Sequence, residues 1–280
     1  MVTLRLLHNG RIAACVLALL LVRHSSGATV SSETLTAWHG YVQQSTDDLT
    51  RQLGDPDRFL WIDRQRVQKQ KTRAGGIVAI PAKQGAVVTI PSGLVHHWLG
   101  AVFVPDVRAL DVLAALQDYD SYTKLYSSAV IDSKLLSRTR NQFDYRLKFV
   151  QKGFGVKAGL LGEFRSTYVR LTPAMGYSIT EATQLDELVD AGEAQERVLP
   201  LTASHGYVEK MFTIVRYRES DGGVYLEIDA LTLSRDIPVS VRWLIAPIVR
   251  KFSGQVMTTT LENLKTGLQQ TRSFESASTR

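Results

Sequence analysis

Three tyrosines at helical spacing are the residues in this chain whose types and positions best suit chemistry. Tyr119, Tyr122 and Tyr126 lie in ALQDYDSYTKLYSSAVI, where a helical pattern gives way to a strand pattern. A phenol ring combines a large apolar surface with a hydroxyl that forms hydrogen bonds. Stacking on bases would need interleaved basic residues, and only Lys124 is near, so we expect no nucleic-acid partner. Packing and ligand contact stay open: we expect Tyr119 to be structural, and Tyr122 and Tyr126 are the candidates for the rim of a ligand pocket.

Two charged pairs on adjacent strand patterns are the second candidate. Arg216 and Arg218 alternate along MFTIVRYR, and Glu227 and Asp229 alternate along VYLEIDALTLS, so each pair shares one strand face. The ESDGG between the two strands is typical of a hairpin turn. Cross-strand charge pairs usually stabilise a solvated sheet face. If this face instead turned inward, Arg216 and Glu227 would be polar groups of a pocket and candidates for acid–base chemistry.

Other catalytic and cofactor motifs give no support. HExxH, GxSxG, a phosphate loop ending in GK[ST] and paired CxxC are all absent from the sequence. The sequence GFGVKA matches GxGxxA, but GLLGEFRSTYVRL follows it and predicts a strand where a dinucleotide site needs a helix. His96 and His97 are adjacent on a predicted strand, so their side chains leave opposite faces and cannot chelate one metal together. We expect no metal and no cofactor.

The elements that must position these residues begin with an amphipathic helix over residues 31–53. Leu35, Trp38 and Leu49 fall on one face of this helix, after a serine-rich start that suits capping. The basic run over residues 64–73 is interpreted as a solvated strand or loop face. A second helix is predicted over residues 106–118, with Asp106 as its N-cap.

Strands make up most of the rest of the chain. Stretches such as IVAIP, AVVTIP and LVHHWLGAVFVP alternate aliphatic and small residues between glycines and prolines, which is typical of strands. Further strands are predicted from residue 130 to residue 235. The chain then carries a long amphipathic helix whose apolar stripe includes Leu244, Ile248, Phe252 and Val256.

The first 28 residues read as an export signal. Basic residues precede the apolar run IAACVLALLLV, and Ser26 and Ala28 are the small residues expected before a cleavage site. We therefore expect a secreted protein, located in the periplasm after cleavage near Ala28. Cleavage would remove the single cysteine, Cys15, and with it any disulfide or thiol chemistry. It would also remove three arginines and no acid, lowering the formal charge from +6 to +3 and leaving little support for a nucleic-acid footprint.

The order of these elements resembles the helix-grip fold of the START-like superfamily, which includes polyketide cyclases and lipid transport proteins. The resemblance rests on ALDVLAALQDYDSYTKLYSSAVIDSKLLSR, similar to the family's opening helix and following strand, and on RDIPVSVRWLIAPIVRKFSGQVMTTTLENLKTGL, similar to its last strand and closing helix. It implies an α+β fold in which a curved antiparallel sheet wraps around a long C-terminal helix. It also implies a domain over residues 95–270, preceded by an extension over 29–94 that packs on it and followed by a disordered tail over 271–280.

Such a sheet, closed by one helix, is expected to leave an apolar cavity between them. We predict that the chain is an exported binding or carrier protein for a hydrophobic small molecule or lipid, with only transient membrane contact. The predicted ligand-binding residues are Tyr122, Tyr126, Arg216, Glu227, Leu244, Ile248, Phe252 and Val256. Two alternatives stay open: a cavity enzyme of cyclase or hydrolase type, and an envelope interaction protein whose N-terminal helix around Trp38 docks a partner.

Overall fold

The computed structural model describes residues 30–83, 87–153, 156–236 and 253–270. Its N-terminal part is helical. Helix α1 (Ser32–Leu53) is followed by two short 3-10 turns, η1 (Pro56–Arg58) and η2 (Trp61–Arg64), and by helix α2 (Arg66–Arg73). The Ser31 side chain caps α1 by accepting a hydrogen bond from the backbone N–H of Thr34, as the serine-rich start predicts.

Strands and short helices follow. The strands are β1 (Val78–Pro81), β2 (Val87–Ile90), β3 (Gly93–Pro105), β4 (Val130–Arg138), β5 (Gln142–Gly153), β6 (Val156–Thr172), β7 (Met175–Val189), β8 (Arg197–Val198), β9 (Lys210–Ser220) and β10 (Gly223–Arg235). Between β3 and β4 lie α3 (Ala109–Gln117), η3 (Tyr119–Ser121) and α4 (Tyr122–Leu125). A further 3-10 turn, η4 (Leu201–Ala203), lies between β8 and β9, and residues 253–270 form helix α5.

All ten described strands belong to one antiparallel sheet. Its main order is β1-β3-β10-β9-β7-β6-β5-β4, with β2 also paired to β3 and β8 paired to β7. The β9–β10 hairpin closes through Asp221 and Gly222, whose φ angles of 57° and 80° suit a two-residue turn. Strand β10 then pairs with β3 along its whole length, which brings the last described strand beside the first long one.

The two faces of the sheet carry different coverings. The outer face, defined by Tyr225, Glu227 and Asp229 of β10, packs against α1, η1 and η2. The buried Trp38 and Leu49 of α1 contribute to this packing. The inner face is defined by Val224, Leu226 and Ile228 of β10, and it packs against α3, η3, α4 and α5.

Helix α5 lies directly on the inner face at strand β3. A Cβ added at Gly100 would overlap the side chains of Met257 and Leu261, so the absence of a side chain lets the helix approach the sheet closely. On its other side the helix meets α4, because a Cβ at Gly267 would overlap Leu125. The deeply buried residues of α5 are Met257, Leu261, Leu264 and Leu268.

These elements confirm the predicted α+β helix-grip fold, with an antiparallel curved sheet and a helix from the C-terminal part of the chain on one face. The prediction that GFGVKA connects two strands is also confirmed, because β5 ends at Gly153, β6 begins at its register partner Val156, and a strand rather than a helix follows. None of the helices in the described ranges combines the length and the apolar character needed to cross a bilayer.

Two local predictions are wrong. The basic run over residues 64–73 forms the end of η2 and helix α2 rather than a strand or loop. Hydrogen bonds within the helix satisfy its backbone N–H and C=O groups, so its polar side chains need no strand partner. Asp106 does not cap α3: it adopts a positive φ of 59° at the end of β3. The capping contact is made instead by Asp111, which accepts a hydrogen bond of 3.0 Å from the backbone N–H of Arg108.

The predicted boundary between the N-terminal extension and the main domain does not coincide with the end of a strand. The boundary between residues 94 and 95 falls inside β3, and the segment predicted as an extension supplies β1 and β2 to the same sheet. The predicted signal over residues 1–28 and the predicted tail over 271–280 lie outside the described residues.

Candidate functional site

The predicted tyrosines belong to a buried aromatic cluster on the inner face. Tyr119 is 1% exposed and stacks on Tyr145 of β5, with ring centroids 3.8 Å apart. Its hydroxyl lies 2.7 Å from the hydroxyl of Tyr168. The carbonyl oxygen of Leu116 accepts hydrogen bonds from both Tyr122 and Tyr168, each 2.7 Å long. The hydroxyl of Tyr122 is therefore engaged with the end of α3.

Burial keeps these phenols in their neutral form. Desolvation raises the pKa of Tyr122, Tyr168 and Tyr145 well above the ordinary tyrosine value, and neighbouring tyrosines reinforce the rise. At neutral pH the group therefore consists of hydrogen-bond donors and acceptors rather than bases. Tyr126 packs edge-on against Tyr122 with ring centroids 5.1 Å apart, and its side chain stays half-buried, so it lies nearer to the margin of the cluster.

A row of small hydroxyl side chains crosses the inner face from this cluster. Ser166 pairs in register with Thr180, and Thr180 pairs with Thr213. The first two hydroxyls lie 2.6 Å apart, and Ser166 also donates a hydrogen bond of 3.3 Å to the Tyr145 hydroxyl. The row continues through Ala230, the partner of Thr213, towards strand β3. Every side chain in it is uncharged, and Thr213 and Ala230 are half-buried.

The row ends at two aromatic side chains of β3 that carry unpartnered polar atoms. Trp98 is the register partner of Ala230, and His96 lies two residues away on the same face. Trp98 is 9% exposed and His96 is 7% exposed. Among the described residues, neither the indole Nε1–H of Trp98 nor Nδ1 of His96 has a hydrogen-bond partner. His96 Nε2 lies 2.9 Å from the hydroxyl of Ser234.

Desolvation lowers the pKa of His96 to about 4, so this imidazole is neutral at physiological pH. A neutral imidazole has one N–H and one lone pair, and the Ser234 hydroxyl engages only one of the two ring nitrogens. Burying an unsatisfied donor or acceptor is unfavourable, costing on the order of 1–3 kcal/mol for each group. The inner face therefore carries two unfilled hydrogen-bonding positions side by side.

The residues predicted on the C-terminal helix are placed only in part. Val256 lies in α5 and is half-buried, beside the buried Met257. Leu244, Ile248 and Phe252 lie outside the described residues. Ligand contact by these four side chains stays a prediction.

Arg216 and Glu227 occupy the outer face, opposite the tyrosines and α5. They are register partners, and Nε of Arg216 lies 3.5 Å from Oε2 of Glu227. The two carboxylate oxygens accept hydrogen bonds of 2.9 and 3.0 Å from the backbone N–H groups of Trp61 and Ile62. Arg216 also donates a hydrogen bond to the Gln52 side chain. The pair thus lies under the N-terminal segment and not in the space between the sheet and α5.

Burial raises the pKa of Glu227 to about 7, and the charge of Arg216 and the two backbone N–H groups only partly offset the desolvation. Further charges on the outer face join the N-terminal segment to the sheet. Asp63 of η2 lies 2.6 Å from Arg218 and 2.9 Å from Lys69. Sequence reasoning identified the charged pairs and their shared strand faces, but the solvated face it favoured is in fact buried.

Two other places are less suited to binding or catalysis. On the outer face, His97 Nε2 and Asp229 Oδ1 are 2.7 Å apart, whereas His96 contacts Ser234 on the inner face. The two adjacent histidines therefore point to opposite faces, as predicted. A surface pocket of about 280 Å³ lies between β4, β5, β6 and β7, but its Asp144 and Arg165 form an ion pair of 2.7 Å with each other. Within the described ranges, no cluster of three or more histidine, cysteine or acidic side chains is arranged to hold a metal ion.

Sequence reasoning missed His96 as a binding candidate and did not consider Trp98 or the hydroxyl row. Alternation along LVHHWLGAV does place His96 and Trp98 on one face, which is a usable signal. The alignment of Ser166, Thr180 and Thr213 depends on the pairing of three strands, and no local pattern reveals it.

Comparisons with known proteins give structural likeness only. No protein-family profile matches the chain, and no curated protein matches it in sequence. Among solved structures, a protein from Thermus thermophilus is 11% identical, with a TM-score of 0.45 and coverage of 62% of this chain and 98% of that one. A STAR-related lipid transfer protein from Xanthomonas axonopodis is 17% identical, with a TM-score of 0.41 and coverage of 65% and 97%. The Zhui aromatase/cyclase from Streptomyces is 14% identical, with a TM-score of 0.41 and coverage of 62% and 94%.

Proposed function

We propose that this protein binds a hydrophobic small molecule or lipid on the inner face of its sheet and acts as a carrier. The observation that carries the proposal is the inner face itself. It combines a large apolar and aromatic surface with neutral hydroxyl groups and two buried polar atoms that lack partners in the part of the chain that the structure describes. Pockets for small molecules share this composition, a mainly apolar lining with a few placed polar groups.

The chemistry of the described inner face favours binding over catalysis. Its tyrosine hydroxyls are held protonated by burial, and its histidine is held neutral with a pKa of about 4. A general base is most effective when its pKa lies near the working pH. The candidate acid–base residues Arg216 and Glu227 lie on the other face, enclosed by η2 and Gln52.

Export belongs to the same proposal. The n-region, apolar run and small residues ending at Ala28 support a cleaved signal and a periplasmic carrier that meets membranes only transiently. Expression of the full chain in a bacterium, followed by fractionation and intact mass measurement, tests this point. We expect a periplasmic product whose mass corresponds to a chain beginning at Thr29. A cytoplasmic product of full mass would contradict export.

Binding is tested with the neutral fluorescent probe N-phenyl-1-naphthylamine and by mass spectrometry of a solvent extract of the purified protein. We expect saturable binding of one probe per chain, or a bound apolar molecule in the extract that the probe displaces. Substitution of the half-buried Ala230 by Phe should weaken probe binding at least tenfold by filling the inner face. The control is Gln43→Phe, which adds the same ring at an exposed position of α1 and should leave binding unchanged. An empty protein that binds no probe would refute the proposal.

A further inference from the structure

The unpartnered atoms of His96 and Trp98 define more than a generic apolar site. They lie on the same face of β3, two residues apart, which corresponds to a separation of about 7 Å along the strand. The indole Nε1–H can only donate a hydrogen bond, whereas the free nitrogen of a neutral imidazole donates or accepts according to its tautomer. A partner for both must therefore offer at least one acceptor.

The surroundings indicate the charge of that partner. The described inner-face neighbours include Leu94, Thr232 and Ala230, the hydroxyl row that ends at Thr213, the register partners Val87 of His96 and Pro81 of Trp98, and Gly254 of α5. None of these side chains carries a charge. A carboxylate or phosphate placed beside these described residues would lose its hydration without gaining a cation from any of them, which is strongly unfavourable. A neutral oxygen, such as a ketone or a hydroxyl, would satisfy the indole at little desolvation cost.

Among the residues that the structure describes, the outer face also carries unpartnered ring nitrogens, on Trp61 and His97, but it does not offer the same opportunity. Trp61 belongs to η2, whose own backbone is bound by Glu227, and its cluster is packed by Phe59 and Leu60. On the inner face, by contrast, Thr213, Ala230 and Thr232 remain half-buried beside Trp98 and His96. The residues beside the unpartnered atoms of the inner face are thus less tightly enclosed than those around Trp61, although Gly254 of α5 packs against the ring of Trp98.

From these observations we propose that His96 and Trp98 form the polar subsite of the inner face, and that the ligand is an apolar molecule bearing an uncharged oxygen function. The oxygen accepts a hydrogen bond from Trp98 Nε1–H and a second one from Nδ1–H of His96, in the tautomer whose Nε2 accepts from the Ser234 hydroxyl. Ser234, bonded to the other imidazole nitrogen, positions the ring. The inference rests on the proposed ligand-binding function and specifies its ligand class.

The test compares three probes of similar shape by displacement of N-phenyl-1-naphthylamine: 2-acetylnaphthalene, 2-isopropylnaphthalene and 2-naphthoate. We expect the ketone to bind about tenfold more tightly than the hydrocarbon, since a net hydrogen bond contributes roughly this factor, and the anion to bind most weakly. Trp98→Phe and His96→Leu should each reduce the preference for the ketone by about threefold or more, while affinity for the hydrocarbon stays within twofold of the wild type.

Trp61→Phe is the matched control, because it removes the same indole N–H from the outer face and should leave the preference intact. Circular dichroism of each variant verifies that the fold is retained, and the two subsite variants provide independent readings. Equal affinity for ketone and hydrocarbon in the wild type, or a preference that survives both Trp98→Phe and His96→Leu, would overturn the subsite while leaving the binding function standing. Failure of N-phenyl-1-naphthylamine itself to bind would refute the function, and the subsite with it.

Discussion

The two faces of the sheet both bury polar side chains, but they bury different kinds. The outer face buries charge: Arg216 and Glu227 meet each other and the N-terminal segment, and Arg218 meets Asp63. The inner face buries neutral groups: tyrosine hydroxyls, small hydroxyls, an indole and an uncharged imidazole. Buried charges demand partners within the chain, so they join one segment to another. Neutral groups tolerate an unfilled position more easily and can be left for a ligand.

The largest expected effect comes from breaking the outer face at Glu227. Replacement by Ala would leave Arg216 buried beside no carboxylate and would strip two backbone N–H groups of their acceptor. Removing one partner of a buried ion pair costs about 3–5 kcal/mol. We expect a loss of this size in the free energy of unfolding, measured with urea.

Glu227→Gln is the control for that experiment, because an amide still offers one oxygen to the N-terminal segment and should be less destabilising than Ala. If Glu227→Ala lowered the free energy of unfolding by less than about 1 kcal/mol, the carboxylate would contribute little to holding the N-terminal segment on the sheet, which would contradict the account.

The inner face should respond more mildly to loss of a hydroxyl. Tyr168→Phe removes two hydrogen bonds, to Leu116 and to Tyr119, without opening a cavity. We expect a loss of about 1–2 kcal/mol in thermal or urea unfolding. Tyr207→Phe serves as the comparison at a side chain that is 42% exposed, and it should be close to neutral. A neutral Tyr168→Phe would show that the hydroxyl cluster is not held by these bonds.

The smallest effect is a difference in pH dependence between the two faces. The pKa of Glu227 rises from 4.5 to about 7 on folding, so the folded state takes up a proton there and gains stability as pH falls from about 7 to 4.5. The pKa of His96 falls from 6.5 to about 4, so its contribution to stability is present above 6.5 and is lost as pH falls towards 4.

Between about pH 4.5 and 6.5, Glu227 raises and His96 lowers the free energy of unfolding as the pH falls. The two contributions oppose each other, so together they should change the stability of the wild type little in this range. Urea unfolding across pH 4.5–7.5 checks this. Glu227→Gln should lose stability more steeply on acidification than the wild type, whereas His96→Leu should gain stability. Parallel curves for both variants and the wild type would contradict the assignment of the slopes.

Much of the fold follows from local signals in the sequence. The serine cap and apolar face predict α1, and ESDGG predicts the β9–β10 hairpin that Asp221 and Gly222 close. Alternation along β10 correctly places Glu227 and Asp229 on one face. It does not say which covering that face receives, because that depends on where a segment more than 160 residues away packs.

The candidate site was less accessible to sequence reasoning for the same reason. Tyr119 and Tyr122 stand out as aromatic residues at helical spacing, yet their burial depends on Tyr145 and Tyr168 from β5 and β6. Thr213 becomes part of a hydroxyl row only through the pairing of β9 with β7. Local periodicity fixes the direction of a side chain, while the neighbours of that side chain are set by strand order.

The most direct test of the account observes the indole N–H groups while a neutral ligand binds. In a ¹⁵N-labelled sample, the indole signals of Trp98 and Trp61 are assigned with the Trp98→Phe and Trp61→Phe variants, and 2-acetylnaphthalene is then titrated. If the inner face binds the ligand through its unpartnered polar atoms, the Trp98 N–H resonance moves downfield in a saturable manner and the Trp61 resonance does not move. Movement of Trp61 with Trp98 unchanged, or no movement of either during saturable binding, would contradict the account.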